Sequence, residues 1–257
     1  MKTFKRNLIL LVLLSGTVIT FSQCTKESVN DGAQNQADLK SISQGIPATI
    51  DNGNSGTSNS NSGISATGYL CSCISTLPIE PLSTTEIDAL NTMREEELLA
   101  HDVYVLFYSL YKIPIFNNIS KAETQHGEAL KGLLLKYSLP DPAVNHVAGI
   151  FVNPVLQTLY KNLVAQGNVS LNAGLTIGAT IEDMDINDLH NHIATDVDNK
   201  DILFVFGNLE KGSRNHLRSF YSLLTARKVA YTPQYISLDY FNQIISTKIE
   251  AGSVTCP

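Results

Sequence analysis

From Leu82 onward apolar residues recur at three- and four-residue intervals with little strict alternation, which predicts amphipathic helices and argues against strands. The first predicted helix opens on the capping-box spacing Ser83-Thr84-Thr85-Glu86 and runs to about Tyr111, stopping before Pro114. Leu90, Met93, Ala100, Tyr104, Phe107 and Tyr111 form its apolar stripe. Glu97 falls on that stripe, Glu96 near its opposite margin, and Glu95 points away. A second helix is predicted from near Ser120 to about Tyr137, ahead of Pro140 and Pro142. Its face reads Ile119, Ala122, His126, Leu130, Leu133, Tyr137, with Glu123 one turn before His126. Asn153-Pro154 caps a short helix that reaches about Gln166 and closes on Gly167. The third long helix opens at Ser170 and reaches about Thr195, aligning Leu171, Leu175, Gly178, Glu182, Asp185 and Leu189. The fourth, from about Asp198 to Arg227, aligns Ile202, Leu209, Ser213, His216, Phe220 and Leu223. A short helix near Leu238 to Ile245 follows Tyr231-Thr232-Pro233. The expected fold is all-α: four long helices in a bundle, a long crossover between the second and third that carries the short helix, and a C-terminal tail.

Each long stripe carries a polar residue at mid-height. One buried Glu or His is ordinarily a satisfied core residue, but several unpaired carboxylates in one interior would cost several kcal/mol each. They need a cation among them. Carboxylates with imidazoles suit iron, manganese or zinc. Ferritin-like di-iron and di-manganese bundles draw one Glu from each of two helices and Glu-x-x-His from each of the other two. This chain supplies Glu97, Glu123-x-x-His126, Glu182 and a lone His216.

The same residues lie in longer blocks: MREEELLAHDVY (93–104), FNNISKAETQH (116–126), GATIEDMDINDL (178–189), GSRNHLRSF (212–220) and YTPQYIS (231–237). In these blocks the sequence resembles a prokaryotic ferritin-like family known as domain of unknown function 2202. The resemblance spans nearly all of residues 84–245 and implies a ferritin-like bundle, without bringing a reaction. Glu97-Leu98-Leu99-Ala100 with Tyr104 also resembles the first ligand helix of rubrerythrin-type proteins, which favours Glu97 over Glu96. The departure is Ser213, which stands where the second Glu-x-x-His would place its Glu. Asp185, one turn after Glu182, is the candidate substitute, and the site is expected to hold one or two ions of iron or manganese. Tyr104, a core aromatic by position, is also the candidate donor to a metal-bound oxygen. His101, His146, His190 and His192 lack partners at ligand spacing and read as surface or loop residues. Arg214 and Arg218 are expected to form structural ion pairs with Asp183, Asp185 or Asp188.

Composition narrows the function classes. The net charge of −6, with 18 basic against 24 acidic residues, argues against nucleic-acid binding. At the N-terminus, Lys2, Lys5 and Arg6 precede an apolar run from Leu8 to Phe21, which reads as a secretory signal over residues 1–23. Cys24 then resembles a bacterial lipoprotein processing site, although Phe21 and Gln23 stand where small residues are preferred. Lipidation of Cys24 would anchor the exported protein to a membrane facing the periplasm or cell surface. Residues 24–81, rich in Asn, Gly and Ser around DNGNSGTSNSNSG, read as a tether spanning about 40 Å as a flexible coil. The bundle domain then occupies 82–250 and a tail 251–257. With Cys24 lipidated, Cys71 or Cys73 could pair with Cys256; three free thiols or an intermolecular bond is the competing reading. No paired CxxC motif for a rubredoxin-type iron is present, so electrons would come from an unspecified partner or a small reductant. Homo-oligomerisation is left open. Two functions fit: an envelope oxidoreductase acting on peroxide or O₂ at a metal pair, or a non-catalytic lipoprotein whose ion only stabilises the bundle. A metal-free bundle with a hydrogen-bonded polar network is the third reading.

Overall fold

The computed structural model describes residues 73–251; the leader, Cys24, Cys71, most of the tether and Cys256 lie outside them. Among the described residues there is a helical turn at 73–76 and six helices, with no strand. The helices are α1 (Thr84–Tyr111), α2 (Pro114–Lys136), α3 (Pro154–Gly167), α4 (Leu171–Thr195), α5 (Lys200–Ala226) and α6 (Leu238–Ser246). None of them is long and apolar enough to cross a membrane.

Local chemistry explains the ends. Ser83 caps α1 in a complete capping box with Glu86, whose other carboxylate oxygen accepts from the Asp198 and Asn199 amides before α5. One buried acid thus ties two helix starts together. The second helix begins at Pro114, six residues before its predicted start at Ser120. Proline lacks an N–H and has a fixed φ, so the residue expected to stop α1 also opens α2 at its first position. Only Lys112, in the left-handed region at φ 55°, and Ile113 separate the two helices. Asn153 and Ser170 cap α3 and α4 with their side chains, as expected.

Helix α1 packs chiefly on α2 and α4 on α5, and contacts of α1 with α4 and α2 with α5 close the bundle. The buried apolar side chains fall into two clusters. One holds Tyr104, Phe107, Phe116, Leu175 and Phe220; the other holds Leu90, Met93, Leu130, Leu133, Phe206 and Leu209. Helices α1 and α5 pass from the second cluster to the first, and α2 and α4 run the opposite way. The chain must therefore return along the bundle's full length between α2 and α4, and residues 137–170, with α3, make that crossover.

A buried aspartate fastens the crossover. Asp102, 4% exposed, meets His101 Nδ1 at 3.0 Å and His146 Nε2 at 2.8 Å, and accepts from the Gly149 amide. His101 and His146 therefore have a partner that sequence spacing did not reveal. The tail is pinned in the same manner: Arg214 and Arg218 pair with Glu250, and Arg214 also with Glu210. This corrects the expected pairing with the α4 aspartates. Cys73 is disulfide-bonded, and its partner lies outside the described residues.

Candidate metal centre

Between the two apolar clusters lies a polar layer to which α1, α2, α4 and α5 each contribute. Glu97 follows Met93 of one cluster and precedes Ala100 of the other; His216 stands between Leu209 and Phe220 in the same way. The layer holds Glu97, Glu123 and Asp185 at 1% exposure, Glu182 at 0% and His216 at 9%, with His126 partly buried. All six residues singled out in the sequence as ligands are brought to this layer.

Their atoms form two triads that share one residue. His126 Nδ1 lies 3.2 Å from Glu97 Oε2 and 2.9 Å from Glu123 Oε2. His216 Nδ1 lies 3.0 Å from Glu123 Oε1 and 3.3 Å from Glu182 Oε2. Glu123 thus turns one oxygen to each imidazole, and the two rings stack with centroids 5.5 Å apart. The potential ligand atoms of Glu97, Glu123 and His126 all lie within 4.8 Å of one another, as do those of Glu123, Glu182 and His216. Asp185 belongs to neither triad at that distance.

Hydrogen bonding leaves the layer incomplete. Glu97 Oε1, both Glu123 oxygens, both Asp185 oxygens and Glu96 Oε2 are buried without a hydrogen-bond partner among the described residues. The short contacts of Glu123 with the imidazoles lack hydrogen-bond geometry. Buried carboxylate oxygens are normally satisfied, and each ion left unpaired costs several kcal/mol. Two imidazoles cannot neutralise five buried carboxylates, the fifth being Glu96 at 6% exposure.

The titration pattern follows from this crowding. Burial pushes Asp185 well above the usual carboxylate range, and Glu182, Glu97 and Glu96 push it further. Burial also raises Glu97, to about 7, against the pull of His126. For Glu123 burial acts upward too, but His216 and His126 on either side outweigh it and hold it well below its ordinary value. Burial alone would lower His216; Glu123 and Glu182 overcome that and raise it to about 10. A shared anion between two charged imidazoles is the metal-free arrangement of charges.

Three neighbours shape the layer. Tyr104 Oη donates to Glu182 Oε1 at 2.5 Å and to the Gly178 carbonyl at 3.3 Å, leaving Glu182 Oε2 for His216. Ser213 Oγ donates to the Leu209 carbonyl of its own helix, so α5 presents only His216 to the layer. Gly212 was not singled out by sequence, yet a Cβ there would sit 2.6 Å from His126 Nε2. The absence of a side chain is what admits the ring, and only Nδ1 is turned to the carboxylates. The run Glu95-Glu96-Glu97 is buried throughout, not on one stripe: Glu95 Oε1 accepts from the Val152 and Asn153 amides of the crossover. That corrects the outward position expected of Glu95 and the marginal one expected of Glu96.

Comparisons with known proteins agree with this architecture. Over 179 residues the chain is 49% identical to uncharacterized protein MJ0754 of Methanocaldococcus jannaschii, an alignment that takes in 70% of this chain and 96% of that protein. The crystal structure of hypothetical protein MJ0754 from Methanococcus jannaschii superposes with a TM-score of 0.66 at 49% identity, covering 68% of this chain and 99% of the other. The sequence profile described as "Uncharacterized protein domain (DUF2202)" matches residues 86–248, which contain every residue of the polar layer. By that match, which covers more than half of the chain, the chain belongs to the DUF2202 family.

Proposed function

We propose that the polar layer is a ferritin-like two-ion centre for iron or manganese in an exported, lipid-anchored protein, and that it acts on peroxide or O₂. One observation carries the reading: two Glu/His triads from four helices share Glu123, and Glu97 Oε1 and both Glu123 oxygens are buried without a hydrogen-bond partner among the described residues. Glu97, Glu123 and His126 would hold one ion; Glu123, Glu182 and His216 would hold the other. The donor set fits, because mixed carboxylate and imidazole ligands suit iron and manganese. Such a pair, when bound, supplies one-electron chemistry between divalent and trivalent states.

The chain's own residues set the conditions. Glu123 is positioned to bridge, and Glu97 and Glu182 close the two ends. Tyr104 fixes the Glu182 rotamer through its 2.5 Å hydrogen bond. Phe220 and Phe116, both fully buried, pack at a tilt against the Tyr104 ring with centroids 5.4 and 6.3 Å away. His126 and His216 must release the protons at Nδ1 that balance the metal-free carboxylates, so ion uptake expels protons. With Ser213 turned into its own helix, Asp185, buried without hydrogen-bond donors among the described residues, would offset the missing carboxylate of α5. Export and anchoring rest on the basic-apolar leader ending at Cys24.

Metal analysis of untagged protein, followed by peroxide addition, tests the reading. About two ions per chain and a change in the ultraviolet spectrum with peroxide are expected. Iron-loaded protein whose spectrum is unmoved by peroxide overturns the oxidoreductase assignment. The contribution of ligands from four separate helices favours a second reading, in which the ions only crosslink the bundle. A large fall in Tm on chelation without redox turnover is its signature.

A further inference from the structure

Within about one turn of α5, three residues bear on the polar layer in different ways. His216 turns Nδ1 to Glu123 and Glu182, Ser213 bonds its own helix, and Gly212 lies against the His126 ring of α2. A Cβ on Gly212 would stand 2.6 Å from His126 Nε2 and 2.7 Å from its Cε1, well inside ordinary contact. That edge of the imidazole therefore rests on the backbone of α5. The ring has no room to retreat. Its Nδ1 lies 3.2 Å from Glu97 Oε2 and 2.9 Å from Glu123 Oε2, and its face stacks on His216 with centroids 5.5 Å and planes 26° apart. Making way for a Cβ would take a shift of about 1 Å, which must either compress those contacts or break them.

The backbone that carries His126 is hemmed in as well. The next residue, Gly127, sits so close to α1 that a Cβ there would meet Arg94 Nη1 at 2.6 Å, and two hydrogen bonds to Asp141 hold that guanidinium. Helix α5 offers its own contrast. Gly207, five residues before Gly212, is exposed, and a Cβ there would meet nothing within 4 Å. Glycine inside a helix is unfavourable relative to alanine, because a freer chain has to be ordered. No contact requires glycine at 207; at 212 the ring does.

We propose that Gly212 is a positioning residue for the paired centre: the space it leaves keeps His126 Nδ1 on the Glu97 and Glu123 oxygens, and so decides whether the centre holds two ions or one. This rests on the paired centre proposed above. One stretch of α5 then serves both positions, with His216 as a ligand on the Glu182 side and Gly212 as the space behind the imidazole on the Glu97 side. A side chain at 212 displaces His126 from its triad and leaves Glu123, Glu182 and His216 with all their donors.

Binding of Mn²⁺ to the chelated full chain, followed through the solution EPR signal of free Mn²⁺, provides the test, with a melting curve for each metal-free variant. Wild type and the control Gly207→Ala are expected to hold two ions tightly. Gly212→Ala should hold one ion as tightly as wild type and the other on the order of a hundredfold more weakly. A glycine that served packing alone would lower the metal-free Tm on substitution and leave the ion count at two. Two tight ions in folded Gly212→Ala therefore overturn the assignment while leaving the pair intact. His126→Ala should also hold one tight ion, and adding Gly212→Ala to it should change nothing further, because the ring is already gone. If Gly212→Ala alone fails to fold, the double variant decides: a fold recovered by removing the ring supports the contact, and no recovery overturns it. Fewer than two tight ions in wild type overturn the paired centre itself, and the role of Gly212 falls with it.

Discussion

Asp183 and Asp185 stand two residues apart on α4, both essentially inaccessible to solvent, and their surroundings are opposite. Asp183 faces the tail and accepts hydrogen bonds from the Tyr231 hydroxyl and the Gln234, Tyr235 and Ile236 amides. Asp185 faces the layer between the apolar clusters and accepts none from the described residues. Burial alone therefore does not mark a ligand. What separates a structural carboxylate from a candidate ligand is whether the fold has already supplied its donors.

The largest effect that sharpens this contrast is expected at the shared residue. Glu123→Ala should reduce the tightly bound ions from two per chain to one or none by elemental analysis, because both triads lose their common oxygen donor. Next comes Asp183→Ala, which strands four donors. Chemical denaturation should show a loss of about 3 kcal/mol in metal-free and metal-loaded protein alike, with ion content unchanged. Asp185→Asn should have the opposite sign in the metal-free protein, stabilising it by about 1 kcal/mol by removing an unpaired buried anion, while weakening ion binding. Equal destabilisation by Asp183→Ala and Asp185→Asn would erase the distinction.

The pH dependence follows the same logic and is smaller. Glu97, raised by burial to about 7, penalises the metal-free fold increasingly as pH climbs above the ordinary carboxylate range, and fully above about 7. His216, raised to about 10 by Glu123 and Glu182 despite its burial, contributes its full stability below the ordinary imidazole range and loses it as pH rises through about 10. Both slopes have one sign, so the Tm of chelated protein should fall as pH rises from about 5 to about 10. Loaded protein should instead lose Tm toward acid, where protons compete for its ligands. Tyr104→Phe should cost a similarly small amount, about 1 kcal/mol of stability from the lost hydrogen bond to Glu182, read by thermal melting of chelated protein.

Much of the bundle was legible because helix signals are local. The capping box at Ser83 and Glu86, Asn153-Pro154 and Ser170 set three helix starts within a residue of those observed. Pro114 was misread because one residue can end a helix or begin the next, and only the short link at Lys112 and Ile113 decides between them. Ligand candidates were legible by the same periodicity, since a Glu or His in an apolar stripe is conspicuous. Glu96 was not: its place at the margin of one stripe does not show that the packed bundle leaves it only 6% exposed. Gly212 carried no signal, because its role is the space it leaves for a ring from α2.

The amino-acid sequence by itself determined where the helices lie, which face of each is apolar and which polar residues interrupt those faces, since all of these depend on contacts within a few turns. Only the tertiary structure decided that Glu123 stands between two imidazoles, that Glu95 and Asp183 find donors, and that Glu96 Oε2 and both Asp185 oxygens are buried without one among the described residues. Those outcomes depend on distances between helices brought together across the crossover, and no spacing along the chain encodes them.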